Sequence, residues 1–453
     1  MNKKFLSTAL CGALALSALA GCSSGQSASS APASSAAASS AVSSAPAESG
    51  ENISLRFMWW GGETRHKATV EALDLYTEQN PGVRIEYEYG GWDGYFDKLL
   101  TQLAGNNAPD IVQLSYTNAS EYVVRDQLAP LDSYIESGLL RTDKLNQTLL
   151  DTYKIDGSYY AVPSGVNVQL LYYNQTMFDE FGISYPTSGM TFDEYYAKAK
   201  ELNDAARAAG REDIWGMSAY TNALDVNFQR VLIDFGGQLW NDDLTAAAFN
   251  SPEGIQAIEY VKKPLDEGFC PPPEISASNP AGVTDFALGR VGMFIDNATS
   301  AAGLAETADF TLGMELAPFG NNKKVTWYQA SQIFVITKQS ANPEAAAKVI
   351  DYMLNDEAAG KILAYERGIP VNEDIRAASV EGKSEIEKKE LELVDGAAEF
   401  TGDGVPMPFP PGYLDVHSEF ERLQEAVMYG QSTPEEMMNS LESFANQTIG
   451  KFN

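Results

Sequence analysis

Histidine and cysteine are nearly missing from this chain of 453 residues, which holds two of the first and three of the second. Imidazole and thiolate are the usual ligands of transition metals, so a site of that type has too few ligands here, and no cofactor is expected. Cysteines stand at positions 11, 22 and 270. Only Cys270 falls where the composition is that of a folded domain, so that domain has no disulfide, and Cys270 is expected as a buried free thiol. Basic residues are scarce as well, with 31 Lys and Arg against 62 Asp and Glu and a formal net charge of −31. Such a field repels nucleic acid and anionic membrane surfaces. A GxxxxGK phosphate loop, a catalytic-triad motif and a metal-ligand helix are all missing. Beyond the first residues, no apolar run reaches the roughly 18 residues that a membrane span needs.

The opening residues are of another kind. Lys3 and Lys4 form a basic region, and residues 5–20 form a short apolar one, the pattern of an export signal. The stretch Leu19-Ala20-Gly21-Cys22 resembles the lipobox of bacterial lipoproteins, in which the cysteine thiol is acylated and becomes the first residue after cleavage. Ordinary signal-peptidase cleavage after Ala18-Leu19-Ala20 is the alternative, since that is also a small-x-small site. Residues 23–50 are almost entirely Ser, Ala, Gly and Pro and cannot bury a core, so they are expected as a flexible tether. A tether has a purpose only if one end is held, which favours Cys22 as a lipid anchor outside the cytoplasm.

The remainder, about 400 residues, is long for one compact core and suits two lobes. It is 44% hydrophobic and 11% aromatic over the whole chain, which excludes disorder for this part. The pattern from residue 52 predicts strand, helix, strand, helix, strand. A strand is expected at 53–59 and a helix at 66–79, with Val70, Leu73 and Tyr76 on one face and Asn80-Pro81-Gly82 as its stop. Residues 83–89 alternate Val83, Ile85, Tyr87, Tyr89 against Arg84, Glu86, Glu88, the period of a strand. A second helix is expected at 93–104 and a third strand at 110–114, giving an α/β lobe with a parallel sheet. Further on, a strand at 168–173 leads to a helix at 191–209, where Thr191 and Glu194 suit a capping box. Helices are expected at 252–267 and at 343–354, the latter with Pro343 in its first turn, and strands at 291–295 and 332–337. No internal repeat is seen.

Aromatic and polar side chains gather where these strands stop. The first runs out into Trp59-Trp60-Gly61-Gly62-Glu63-Thr64-Arg65-His66, the second into Gly90-Gly91-Trp92-Asp93-Gly94-Tyr95, and the third into Ser115-Tyr116-Thr117-Asn118. A pyranose needs this mixture: its C–H face stacks on a ring, and each hydroxyl buried without a partner costs about 1–3 kcal/mol. The same rings would also fill a core. For the adjacent pair Trp59 and Trp60, one ring is expected inward and one toward a cleft.

Residues 53–178 resemble the extracytoplasmic solute-binding proteins of bacterial sugar ABC importers, the maltodextrin-binding-like or family 1 group. The resemblance is carried by LRFMWWGGETRH at 55–66, LYTEQNPG at 75–82, GWDGYFDKLL at 91–100, LAGNNAPDIV at 103–112, LAPL at 128–131 and DGSYYAVPSGVNVQLLYYN at 156–174. It continues in FALGRVGMFIDN at 286–297 and SANPEAAAKVIDYML at 340–354, and is weakest over 373–409.

This resemblance implies an α/β periplasmic-binding-protein-like fold whose two discontinuous lobes close on a glycan. The first lobe is expected over 51–163 and 316–340 and the second over 164–315 and 341–453, with crossings near 162–166, 315–319 and 338–343. It also implies a monomer that takes up an oligosaccharide, with plant cell-wall material favoured by the 59–66 segment, and passes it to the importer's permease subunits. The expected ligand-binding residues are Trp59, Trp60, Glu63, His66, Trp92, Asp93, Tyr116, Asn167, Trp240, Asp296, Asn297, Trp327 and Tyr413. Glu63 and His66 equally suit the start of the first helix, and Asp296 and Asn297 equally suit a helix cap. Arg65 or His66 would be the group to meet a uronate.

Two rival readings follow from the residues alone. A secreted glycoside hydrolase also combines rings with acids, but needs two carboxyl groups about 5–9.5 Å apart. A receptor of the same fold for a polyamine would use the acidity and the rings through cation–π contacts.

Overall fold

The computed structural model describes residues 52–219, 224–280, 283–324, 326–397, 400 and 409–452. The proposed lipobox with Cys22 and the stretch 23–50 lie outside the described residues.

The principal elements run in chain order as β1 (Ile53–Trp60), α1 (Glu63–Gln79), β2 (Val83–Gly90), α2 (Tyr95–Ala104), β3 (Ile111–Leu114), β4 (Val162–Pro163), β5 (Val166–Asn174), α3 (Phe192–Ala208), β6 (Trp215–Met217), α4 (Pro252–Asp266), β7 (Val291–Asn297), β8 (Leu312–Leu316), β9 (Tyr328–Ala330) and β10 (Ile333–Ile336). The helices α5 (Pro343–Asn355), α6 (Glu357–Leu363), α7 (Glu385–Ala397), α8 (Tyr413–Met428) and α9 (Pro434–Ile449) follow. Two five-stranded sheets result, β2-β1-β3-β10-β4 and β8-β5-β7-β6 with β9 also on β5. Each sheet is the centre of one lobe.

Local chemistry accounts for the elements. Thr69, Ala72, Leu73 and Tyr76 bury one face of α1, and on β2 Ile85 is buried between exposed Arg84 and Glu86. Helix α3 starts with a complete capping box: Glu194 N donates to Thr191 Oγ1 at 3.3 Å, and Thr191 N donates to Glu194 Oε2 at 2.8 Å, satisfying two donors that a helix start leaves unpaired. On β5 the pleat separates two apolar sets. Val166, Val168, Leu170 and Tyr172 pack with the cluster that contains α7, and Leu171 and Tyr173 with the cluster that contains α3.

The three strands from which a parallel sheet is expected do pair in parallel, but each sheet as a whole is mixed. β1 is parallel to β2 and β3, but β10 is antiparallel to β3, and β5 is antiparallel to β7, β8 and β9. The reason lies in the route of the chain. β5 and β10 enter their sheets directly from the other lobe, without the long helical crossover that parallel neighbours require.

The boundaries of the lobes differ from the expected ones too. β8 and β9 belong to the second sheet, so only the β10 part of 316–340 joins the first. Helices α5 and α6 pack on α1, and α5 also on β1 and β10, which places 343–363 in the first lobe; α7, α8 and α9 return to the second. The chain therefore crosses at Ser164-Gly165, at Ser331-Gln332 and between Ser379 and Ser384, not at 315–319 or 338–343. Two crossings are bonded together, by Ser164 N to Gln332 O at 2.9 Å and Ser331 N to Gly165 O at 2.9 Å. Val166 and Ile369 exchange a further pair of backbone bonds at 2.7 and 3.1 Å.

A Cβ on Gly165 would collide with Arg367 O and lie 2.8 Å from Ser331 Oγ. Gly165→Ala is expected to destabilise the protein by about 1–3 kcal/mol, the usual cost of overpacking, as read by denaturant unfolding. A second prediction concerns α7, where buried Glu390 has one carboxyl oxygen without a hydrogen-bond partner among the described residues. Burial pushes this carboxyl up to about 8 from an ordinary 4.5. The folded chain thus keeps a proton that the unfolded chain releases, and the stability from this group falls as pH rises through that window. Melting curves between pH 5 and pH 8 are expected to show a shallower decline for Glu390→Gln than for the parent.

Candidate functional site

Where the lobes meet, a cavity of about 270 Å³ is lined by Tyr116, Asn167, Gln169, Val226, Ile295, Asp296, Asn297, Trp327, Ala330 and Ser331. The pleat of β5 turns Asn167 and Gln169 away from the Val166, Val168 and Leu170 side. Register then pairs Gln169 with Asn297 on β7, and Asn167 with Gln329 on β9. Gln169 Nε2 donates to Asn297 Oδ1 at 2.6 Å, so one amide fixes the next. Gln169 is missing from the sequence expectation, although a polar residue two positions after Asn167 in the run VNVQLLYY marks the same face of a strand.

Asp296 ends β7. One carboxylate oxygen accepts from Asn297 N at 2.8 Å and the other from Ser300 Oγ at 2.9 Å. Burial raises its pKa, and these two bonds oppose the rise. The helix-cap alternative is thereby met in part: Asp296 braces the turn Ala298–Ser300 and also faces the cavity. Trp327 is 7% exposed and meets Tyr116 edge to face, with centroids 6.1 Å apart at 79°. Its Nε1 has no hydrogen-bond partner among the described residues. A buried indole donor without a partner is costly unless a guest supplies an acceptor.

The cavity therefore offers two rings at right angles, three amide side chains, one carboxylate and one unpaired donor. Among the described residues no three His, Cys, Asp or Glu side chains are grouped to hold a metal ion.

The model of the bacterial extracellular solute-binding protein family matches residues 61–360. The chain belongs to this family. It is 24% identical over 401 residues to the diacetylchitobiose binding protein of Streptomyces coelicolor, with 83% of this chain and 84% of that protein covered. It is 23% identical over 345 residues to the maltooligosaccharide ABC transporter solute-binding lipoprotein of Streptococcus pneumoniae, covering 75% and 77%. The structure of an ABC substrate-binding protein from Listeria monocytogenes in complex with cycloalternan superposes with a TM-score of 0.75 at 26% identity, covering 88% of this chain and 100% of that one.

In this solute-binding protein the remaining expected site residues are spread over four places. Trp59 is fully buried, packs 5.3 Å from Phe57 and donates Nε1 to His66 Nδ1 at 3.2 Å; it is a core residue, which corrects its place in the site. Trp60 is covered by Trp92, Tyr95 and Phe96, at 5.1, 5.0 and 5.6 Å. Trp92 itself is 47% exposed, and Asp93 beside it is exposed, so this cluster forms a ledge on the first lobe and does not line the cavity. Glu63 and His66 line a separate groove of about 500 Å³ along α1. The helix begins at Glu63, three residues earlier than expected, and this commits Glu63 to an ion pair with Lys67 at 3.5 Å and His66 to stacking on Tyr89 at 4.5 Å. They are not part of the cavity.

Trp240 and Tyr413 are buried in the second lobe, 6.1 Å apart, and do not line the cavity. Tyr413 contacts Phe409 at 4.4 Å, and Phe409 contacts Tyr116 at 6.2 Å, so these rings stand behind the cavity wall. Cys270 is a buried free thiol, pushed up to about 12 by burial and by Asp285 and Asp266, which disfavours the nucleophilic thiolate.

Trp327→Ala is expected to weaken solute binding about 30-fold, or about 2 kcal/mol for loss of a buried anchor. Trp59→Ala is expected instead to lower stability by about 3–5 kcal/mol. Calorimetric titration and thermal melting of both variants separate the two roles.

Proposed function

We propose that this protein captures an oligosaccharide outside the cytoplasm by closing its lobes, and delivers it to the permease subunits of an ABC importer. The observation that carries the reading is the cavity itself, where Tyr116 of the first lobe meets Trp327, the amide ladder and Asp296 of the second. A ligand that touches both lobes favours the closed arrangement over the open one, and a ligand that touches one does not. Two rings in edge-to-face contact and three amides lining one cavity suit a pyranose, and the relatives named above bind maltooligosaccharide, diacetylchitobiose and cycloalternan. Acylation of Cys22, with 23–50 as the tether, would keep the receptor at the membrane. The bound sugar leaves unchanged in this reading, because among the described residues a single carboxylate lines the cavity whereas glycoside hydrolysis uses two. That same lone carboxylate is a poor match for the several charges of a polyamine.

Thermal-shift screening against oligosaccharides from plant cell walls and other sources, amino acids and polyamines tests the proposal. A neutral oligosaccharide at 100 times its Kd is expected to stabilise the protein by about 2.7 kcal/mol and to be recovered intact by product analysis. A shift confined to polyamines, or a glycan returned in pieces, overturns it in favour of the corresponding rival.

A further inference from the structure

We infer that the cleft selects neutral oligosaccharides and rejects those that carry uronic acids, an inference that rests on the glycan reading above. Of the ten described residues that line the cavity, Asp296 is the one charged group, and no Lys, Arg or His is among them. The stretches 220–223 and 401–408, outside the described residues, contain no Lys, Arg or His either.

The basic groups nearest to the expected site in sequence are already committed. Arg65 donates through Nε to Glu366 O and through Nη1 to Trp60 O, the latter at 3.3 Å. Arg367 is buried and donates to Gln113 Oε1, and to Thr69 Oγ1 at 2.9 Å. His66 accepts from Trp59 and lies under Tyr89. The expectation that Arg65 or His66 meets a uronate carboxylate therefore fails on geometry.

A uronate entering the cavity would bring a second carboxylate beside Asp296 with no cation to balance either. Like charges brought together in a desolvated site are strongly penalised, and a protein of net charge −31 repels a polyanion at longer range as well. A neutral ring meets no such penalty. Its hydroxyls can donate to Asp296 and to the amide oxygens and accept from Trp327 Nε1, and charge-assisted bonds of this kind are the stronger ones. Burial raises the Asp296 pKa, which agrees with a carboxylate that lacks a cationic partner.

Calorimetric titration of the full chain with matched pairs tests this, using galactotriose against trigalacturonate, and xylotetraose against a xylotriose bearing glucuronate. The neutral member of at least one pair is expected to bind at least 100-fold more tightly than its uronate counterpart. Asp296→Asn, with its fold verified by melting temperature, is expected to narrow that ratio at least tenfold. A uronate that binds as tightly as its neutral counterpart, or more tightly, overturns the charge selection and leaves the glycan reading standing. Failure of maltotriose, chitotriose and every member of both pairs to bind, together with binding of a polyamine or amino acid, overturns both.

Discussion

Arg367 is buried at the junction of the lobes, and among the described residues no carboxylate pairs with it. What holds it instead is a box of rings, Phe57, Trp59 and Phe334 at 5.9, 5.8 and 5.1 Å, with hydrogen bonds to Thr69 and Gln113. Burial, together with the positive charge of Arg65, pulls its pKa down to about 9. A guanidinium tolerates this environment because it is planar, weakly hydrated and attracted to ring faces. The consequence is mechanical. One side chain ties α1, β1, β3 and β10 together, and its own backbone carbonyl accepts Ser331 Oγ from the second crossing. The first lobe is thereby fixed at the point where two crossings are already bonded to each other, and under the proposed function this junction is the pivot for closure.

The pivot sets the site. β5 leaves the junction at Val166, and Asn167 and Gln169 follow within one pleat, while β9 arrives at Ser331 from Trp327 across a three-residue strand. Asn167, Gln169, Trp327 and Ser331 are thus within a few residues of a crossing, whereas Asp296 and Asn297 reach the wall through the pairing of β7 with β5. Under the proposed function, the backbone bonds at the junction would limit how far those groups shift on closure. Positioning the wall costs little beyond the strand pairing itself, because the register that joins β5 to β7 and β9 also brings the amides side by side.

Much of this was legible in the sequence. The alternation of 83–89, the Thr191–Glu194 capping box and the family resemblance each rest on local pattern, and each corresponds to an observed element. What local pattern could not convey was which lobe a helix packs on. The 343–355 segment reads as an amphipathic helix wherever it goes, and only the contacts with α1 and β1 place it. The Trp59–Trp60 pair shows the same limit: a strand sends neighbouring side chains to opposite faces, but neither ring reaches the enclosed cavity. Trp59 is taken by the arginine box, and Trp60 is roofed by Trp92. Trp240 and Tyr413 show a related limit: rings near glycine or proline loops look accessible in sequence, and here they are buried and support the wall from behind. Gln169 was missed because amides in an apolar run are easily passed over unless the strand period is applied to polar residues too.

The division of labour between the lobes has a consequence for closure. Tyr116 is the one first-lobe residue among those lining the cavity, and its polar partners there all come from the second lobe or from a crossing. Under the proposed function, a sugar can satisfy most of its hydroxyls on the second lobe while the protein is open, and the Tyr116 ring arrives with closure. An edge-to-face pair such as Tyr116 with Trp327 contributes about 0.5–1.5 kcal/mol beyond its buried area, which is a modest bias between two arrangements of the whole molecule. A bias of that size leaves the decision to the ligand. A guest that presents an apolar face to Tyr116 adds to it, and a guest that presents a charge or an unpaired hydroxyl there cancels it. Recognition and closure are then one event read through a single ring, with Phe409 and Tyr413 behind that ring to keep it in place.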